Sequence, residues 1–296
     1  MGKQGYRLTV SLAEMLVGGV IIAVNDPQQA AMAEAAGASG VLVVPRLAAD
    51  LRVGGGVGRM ADPAVIAGVQ AAVSIPVMAA CRIGHQVEAE ILAELGVDYI
   101  DECELLTAVD ESRPIDKASW STPFICGAED LASALRRIDE GAAIIRSTGA
   151  YGSGNVAGAA QSLRQIQEEA RSLQLYERAE LPMMALEMGV DEGLLQDVAL
   201  RGRLPVVTIG AGGVVSPADA ALLRRLGADC VLVGSGVFRS TNPAQRAAAI
   251  VTATAHFDDR EIIARVSHGL GREMTGWTGQ AVSPAFAEAT DERWGW

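Results

Sequence analysis

Short, almost wholly apolar runs alternate along the chain with longer segments whose apolar residues recur at helical spacing. Apolar runs of four to eight residues between turn signals read as strands buried on both faces, as in a parallel sheet. Eight fit: Gly19–Val24, Gly40–Val44, Pro76–Arg82, Tyr99–Glu104, Pro123–Cys126, Ala143–Ser147, Pro205–Ile209 and Cys230–Val233. Between them the pattern predicts helices over Pro27–Ala36, Pro63–Ala72, Val87–Leu95, Leu131–Glu140, Pro217–Leu226 and Pro243–His256. Asp26, Asp62, Ser216 and Asn242 each place a capping side chain before a proline at the first helical position. Gly37, Gly96, Gly141 and Gly227 mark helix ends. Such alternation implies parallel βαβ units, and eight units imply an α/β fold of the (β/α)8 TIM-barrel type, one domain over residues 1–296. A doubly wound open sheet is the structural alternative. Residues 1–17 read as an N-terminal segment and residues 272–296 as a C-terminal tail. Residues 161–203 read as an elaborated crossover between strands 6 and 7, with two helical pieces.

Composition narrows the function classes. Half of the 296 residues are apolar but only 4% are aromatic, a palette for Val/Ile strands under Ala-rich helices. A net charge of −12 argues against a nucleic-acid partner, because nothing would neutralise a phosphate backbone. Cys81, Cys103, Cys126 and Cys230 are far apart and sit in apolar stretches. They read as buried thiols, with no metal site or disulfide framework, in a reducing compartment. Lys3 and Arg7 precede an apolar run, but Glu14 and Gly18-Gly19 interrupt it, well short of the ~20 residues a membrane span needs. The expectation is a soluble, cytoplasmic protein without a membrane partner.

Candidate chemistry lies at the strand ends. Gly210-Ala-Gly-Gly213 follows strand 7 and Gly234-Ser-Gly236 follows strand 8, the two loops that commonly hold phosphate in such barrels. Glycine lets backbone N–H groups approach an anion, and a following helix start adds a favourable dipole. Gly149-Ala-Tyr-Gly-Ser-Gly154, after strand 6, is placed to close over the same anion. Tight turns also need glycine, so each cluster alone is weak; three at successive strand ends are stronger.

At these residues the chain resembles the synthase subunits of glutamine-dependent pyridoxal 5′-phosphate synthase, the PdxS-like family. Matching segments include Gly55-Gly-Val-Gly-Arg-Met-Ala-Asp-Pro63, Ser74-Ile-Pro-Val-Met-Ala79, Arg82-Ile-Gly-His85 and Gly96-Val-Asp-Tyr-Ile-Asp-Glu102. Pro123-Phe-Ile-Cys-Gly127, Ala211-Gly-Gly-Val214, Pro217-Ala-Asp-Ala220, Val233-Gly-Ser-Gly236 and the terminal Glu292-Arg-Trp-Gly-Trp296 extend the match. The resemblance implies a barrel assembling into hexameric rings or dodecamers. It also implies pyridoxal phosphate made from ribose 5-phosphate, glyceraldehyde 3-phosphate and ammonia from a glutaminase partner. Lysines on strands 3 and 6 would carry the intermediates as imines, assisted by a strand 1 aspartate, because only an amine forms a Schiff base.

At all three positions this chain departs from that pattern: they are Ala80, Thr148 and Ala23. Its only lysines, Lys3 and Lys117, fall in the N-terminal segment and in a polar stretch between strands 4 and 5. The ordinary lysine-imine reaction is therefore expected to be lost. Positions matching the family's phosphate contacts remain, namely Gly152, Gly213, Gly234 and Ser235, as do Asp101 and Arg146. Arg136 and Arg137 resemble basic residues of a second phosphate site. The family's basic N-terminal region is here Leu8-Thr-Val-Ser-Leu12, which weakens the case for a glutaminase partner. No cofactor is implied.

Several residues carry two readings. Asp101 on a barrel strand is costly to bury without purpose, so it is a candidate acid/base or hydroxyl ligand, or else an ion-pair partner of Arg146. His85 is a substrate-binding candidate or a helix cap, with the cap favoured. Arg136 and Arg137 form a solvated face or bind phosphate. Cys81 lies beside the vacated position, but strand alternation turns it toward the helices. Two functions follow: an enzyme with lyase or isomerase chemistry on a phosphosugar, or a non-catalytic paralogue assembling with an active synthase.

Overall fold

The computed structural model describes residues 10–110 and 112–276. Lys3, Arg7, part of the Leu8–Leu12 segment and most of the C-terminal tail lie outside the described residues. Eight parallel strands close into a barrel in sequence order. They are β1 (Val20–Val24), β2 (Gly40–Val43), β3 (Val77–Arg82), β4 (Tyr99–Cys103), β5 (Phe124–Ala128), β6 (Ile144–Ser147), β7 (Val207–Ala211) and β8 (Cys230–Val233). The barrel closes where β8 returns to β1, with Val20 opposite Val231 and Ile22 opposite Val233. An open sheet is thereby ruled out.

Strand alternation sorts the core into two layers. Ile21, Ala23, Leu42, Met78, Ala80 and Ile209 belong to the cluster inside the barrel. Their neighbours Ile22, Val41, Ala79 and Cys81 join the cluster between strands and helices. The predicted helices appear as α1 (Pro27–Ala35), α3 (Pro63–Ala72), α4 (Gln86–Glu94), α5 (Leu131–Asp139), α9 (Pro217–Arg225) and α11 (Pro243–Ala255). Asp26, Asp62 and Ser216 cap as expected, Asp26 accepting from the Gln29 N–H at 2.7 Å. Asn242 makes no side-chain cap.

Other differences have local causes. β5 and β7 begin after Pro123 and Pro205, because proline brings no N–H to the ladder. Both strands then run further than expected, through Gly127-Ala128 and Gly210-Ala211. These glycines serve close approach within a strand: a Cβ at Gly210 would meet the Leu223 side chain at 2.9 Å. The crossover holds three helices rather than two, α6 (Ala157–Ser172), α7 (Leu181–Met188) and α8 (Glu192–Arg201). Three short helices went unanticipated: α2 (Ala48–Gly54), the single turn α10 (Ser235–Phe238) and α12 (Arg260–Val266). Among the described residues no helix is long and apolar enough to cross a membrane.

Candidate functional site

At the C-terminal ends of the strands one cavity brings together residues from β1, β2, β4, β6 and the loops after β6, β7 and β8. Asp101 and Arg146 both point into the interior layer and are fully buried, at 0% and 1% exposure. An isolated buried charge is costly, so each needs the other. Arg146 Nη2 donates to Asp101 Oδ1 at 2.9 Å and to Glu104 Oε2 at 2.8 Å. Arg146 Nη1 donates to the Tyr151 hydroxyl, which in turn donates to the Ser147 carbonyl at 2.9 Å. The guanidinium also lies 5.1 Å from the centre of the Tyr151 ring, within cation–π range.

One positive charge is thus shared between two carboxylates. At Asp101 burial prevails over the Arg146 field and raises the carboxyl above its ordinary range. Burial works against the Arg146 charge as well, but Asp101 and Glu104 outweigh it and hold its pKa up. Asp101 Oδ2 and Arg146 Nε are buried without a hydrogen-bond partner among the described residues.

Glycine loops form the adjoining wall. Gly152 (φ 71) and Gly213 (φ 78) occupy the left-handed region that favours glycine. A Cβ at Gly152 would strike the Ala48–Ala49 backbone, and one at Gly213 would strike Asn155. The three loops therefore interlock, and Ser235 Oγ accepts from the Ala49 N–H at 2.9 Å to tie the β8 loop to the start of α2. Gly152, Gly213, Gly234 and Ser235, spread over more than eighty positions, line a single cavity with Asp101 and Arg146. The expected helix dipole contributes little there, since only the single turn α10 follows β8 directly.

Ala23 lines the same cavity, and Ala80 pairs in register with Asp101 just inside it. Both present only carbon. Thr148 belongs elsewhere: it lines a second cleft with Arg136, Arg137, Glu104 and Cys126. There Arg136 Nη1 donates to the Met188 carbonyl at 3.0 Å, and Arg137 Nη1 to Glu140 at 2.9 Å. His85 does not reach the first cavity. It caps α4, its Nδ1 accepting from the Glu88 N–H at 3.2 Å. Cys81 is buried and faces the helices, as alternation requires. Lys117, placed by its sequence context in a polar stretch, has a fully buried side chain that bridges Glu102 at 2.7 Å and Glu140 at 3.1 Å.

Sequence reasoning missed Glu104, Tyr151 and Met274 as cavity or Arg146 partners. The cost of burying charge, which singled out Asp101, gave no signal for Glu104, which is exposed just past the end of β4. Nothing in the pattern distinguished Tyr151 or Met274 from ordinary loop residues.

Comparison with known proteins gives a consistent result. Residues 5–211 match the model of the SOR/SNZ family. The "Pyridoxal 5'-phosphate synthase subunit PdxS" of Streptomyces coelicolor is 54% identical over 91% of this chain and 89% of its own length. The protein of the same name from Clostridium botulinum is 50% identical over 97% of this chain and 99% of its own. Among solved structures, the Amycolatopsis orientalis BexX/CysO complex contains a chain similar in fold, with a TM-score of 0.50 at 16% identity, covering 86% of this chain and 94% of that one.

Proposed function

From this chain's membership of the SOR/SNZ family, shown by the family match and by relatives at 50–54% identity, we propose that it is a PdxS-like barrel that seats a small phosphosugar without lysine-imine chemistry. The observation that carries the reading is the convergence of Gly152, Gly213, Gly234 and Ser235 on one cavity beside a buried Asp101–Arg146 pair. Bare backbone at three loops suits a phosphate group. The carbon-only side chains at Ala23 and Ala80 leave that cavity without an amine to form a Schiff base.

The protein then acts on a pentose phosphate by another reaction, of the isomerase or lyase kind. Asp101 is its candidate proton-transfer group, because burial lifts its carboxyl toward the range where it can hold and release a proton. Arg136 and Arg137, in the cleft with Thr148, are candidates for a second anion contact once released from Met188 and Glu140. A homo-oligomer, a hexameric ring or a dodecamer, goes with this reading, since the relatives are named as subunits.

The test is incubation of purified protein with ribose 5-phosphate and related pentose phosphates, followed by mass spectrometry and NMR. The expected result is saturable binding, no adduct on cyanoborohydride reduction, and product that disappears in Asp101→Asn. Reducible adduct in the unaltered chain would refute the loss of imine chemistry. Tight binding without turnover, together with co-purification with a lysine-bearing synthase, would instead favour the second reading, a non-catalytic partner of an active enzyme. That reading draws support from the glycines, whose interlocking is also a packing requirement.

A further inference from the structure

The cavity is chemically one-sided. Asp101, Arg146 and Tyr151 gather its side-chain polarity on the β4 and β6 edge. Across β8, β1 and β2 the side chains facing the interior are Leu232, Ala23, Leu42 and Val44, which offer no hydrogen-bonding atom. Ser235 is the other hydroxyl in the lining among the described residues, and it already accepts from the Ala49 N–H.

On the polar edge most valences are spent internally. The Tyr151 hydroxyl serves Arg146 and Ser147, and Arg146 Nη2 serves Asp101 and Glu104. Asp101 Oδ2 remains as the open acceptor and Arg146 Nε as the open donor, both buried and without a partner among the described residues. A buried carboxylate oxygen left unsatisfied is costly and is relieved by a ligand donor.

A polyhydroxylated ligand fits this wall poorly. Each hydroxyl turned toward the β8–β1–β2 side gives up water and gains nothing, a loss of roughly tenfold in affinity per group. Carbon on that side gains instead from leaving water.

We propose that the cavity selects a phosphate monoester whose body is largely deoxygenated and carries one hydroxyl or amine donor, which bonds Asp101 Oδ2. This deepens the phosphosugar reading and rests on its phosphate seat. Among pentose phosphates the cavity therefore favours deoxy and anhydro forms over the fully hydroxylated sugar. Selection arises from the apolar half of the wall, and the single donor from the one open acceptor.

The experiment is titration calorimetry on the full chain with a ring-matched series. The series runs from ribose 5-phosphate through 2-deoxyribose 5-phosphate to 1,4-anhydro-2-deoxyribitol 5-phosphate, which has one free hydroxyl, and its 2,3-dideoxy counterpart, which has none. Affinity should rise at least tenfold from ribose 5-phosphate to the one-hydroxyl compound and fall again for the compound with none. Asp101→Asn should flatten that final fall. Leu232→Asn, at a partly exposed position that tolerates polarity, should shift preference back toward ribose 5-phosphate. Ribose 5-phosphate binding as tightly as the one-hydroxyl compound would overturn this inference while leaving the phosphate seat intact. Failure of the whole series and of inorganic phosphate to bind would overturn the seat itself, and the inference with it.

Discussion

Arg146 Nη2 sits 2.9 Å from Asp101 Oδ1 in the barrel interior, and neither side chain has solvent to fall back on. Cutting the pair on one side strands a charge. Arg146→Met should cost about 3–5 kcal/mol in urea unfolding, because Asp101 and Glu104 then face each other without a cation. Adding Asp101→Leu should recover a good part of the loss, since an apolar pair of similar volume replaces the charges. Equal midpoints for the single and double variants would show that the cost comes from packing alone.

Glycine positions should divide sharply. At Gly213 an added Cβ strikes Asn155 as well as straining a φ of 78, so Gly213→Ala should both destabilise the protein and abolish any thermal shift produced by phosphate esters. Gly189, which ends α7 at φ 68 with open space around its Cβ position, pays only the left-handed strain. Gly189→Ala should cost about 1 kcal/mol and leave ligand-induced shifts unchanged.

Tyr99 makes stability fall on the alkaline side. Burial, with help from Asp98, pushes its hydroxyl up to about 12, and that hydroxyl donates to the Leu12 carbonyl at 2.8 Å. The unfolded chain releases this proton near 10, so the stabilisation is complete below pH 10 and is lost as pH rises toward 12. Melting temperature followed from pH 9 to 12 should decline more steeply in the unaltered protein than in Tyr99→Phe. Coincident slopes would remove Tyr99 from the account.

All four cysteines are buried. Burial raises the pKa of each thiol, so none offers a thiolate at neutral pH. A chromogenic disulfide reagent should therefore report no fast thiol in the native state and all four after denaturation in guanidinium. A rapidly reacting native thiol would contradict the packing.

The barrel was legible because buried parallel strands carry an unmistakable signature, continuous apolar runs between capped helices. What escaped notice has physical reasons. α2 is preceded by Leu47, which offers no side-chain cap, so the usual start signal was missing. α12 did have one: Asp259 accepts from the N–H groups of Glu261 and Ile262. Gly127 and Gly210 read as loop residues, yet each lies in a strand where a neighbour fills the space of a side chain, Glu104 in one case and Leu223 in the other. In the site, Asp101 was recognisable from the cost of burying charge, and Arg146 from the family resemblance. Their geometry with Tyr151 was not, because it depends on how a loop folds back over its own strand.

The separation of the two core layers has a consequence for how such a protein changes over time. Ala80 and Cys81 are adjacent in sequence, yet one faces the interior and the other the helices. Exchange of a small interior side chain such as Ala80 therefore leaves helix packing untouched, unlike a change at the buried Asp101–Arg146 pair. Chemistry in this architecture is a removable insert: it can be lost one residue at a time, and refitted the same way, while the scaffold stays under its own constraints.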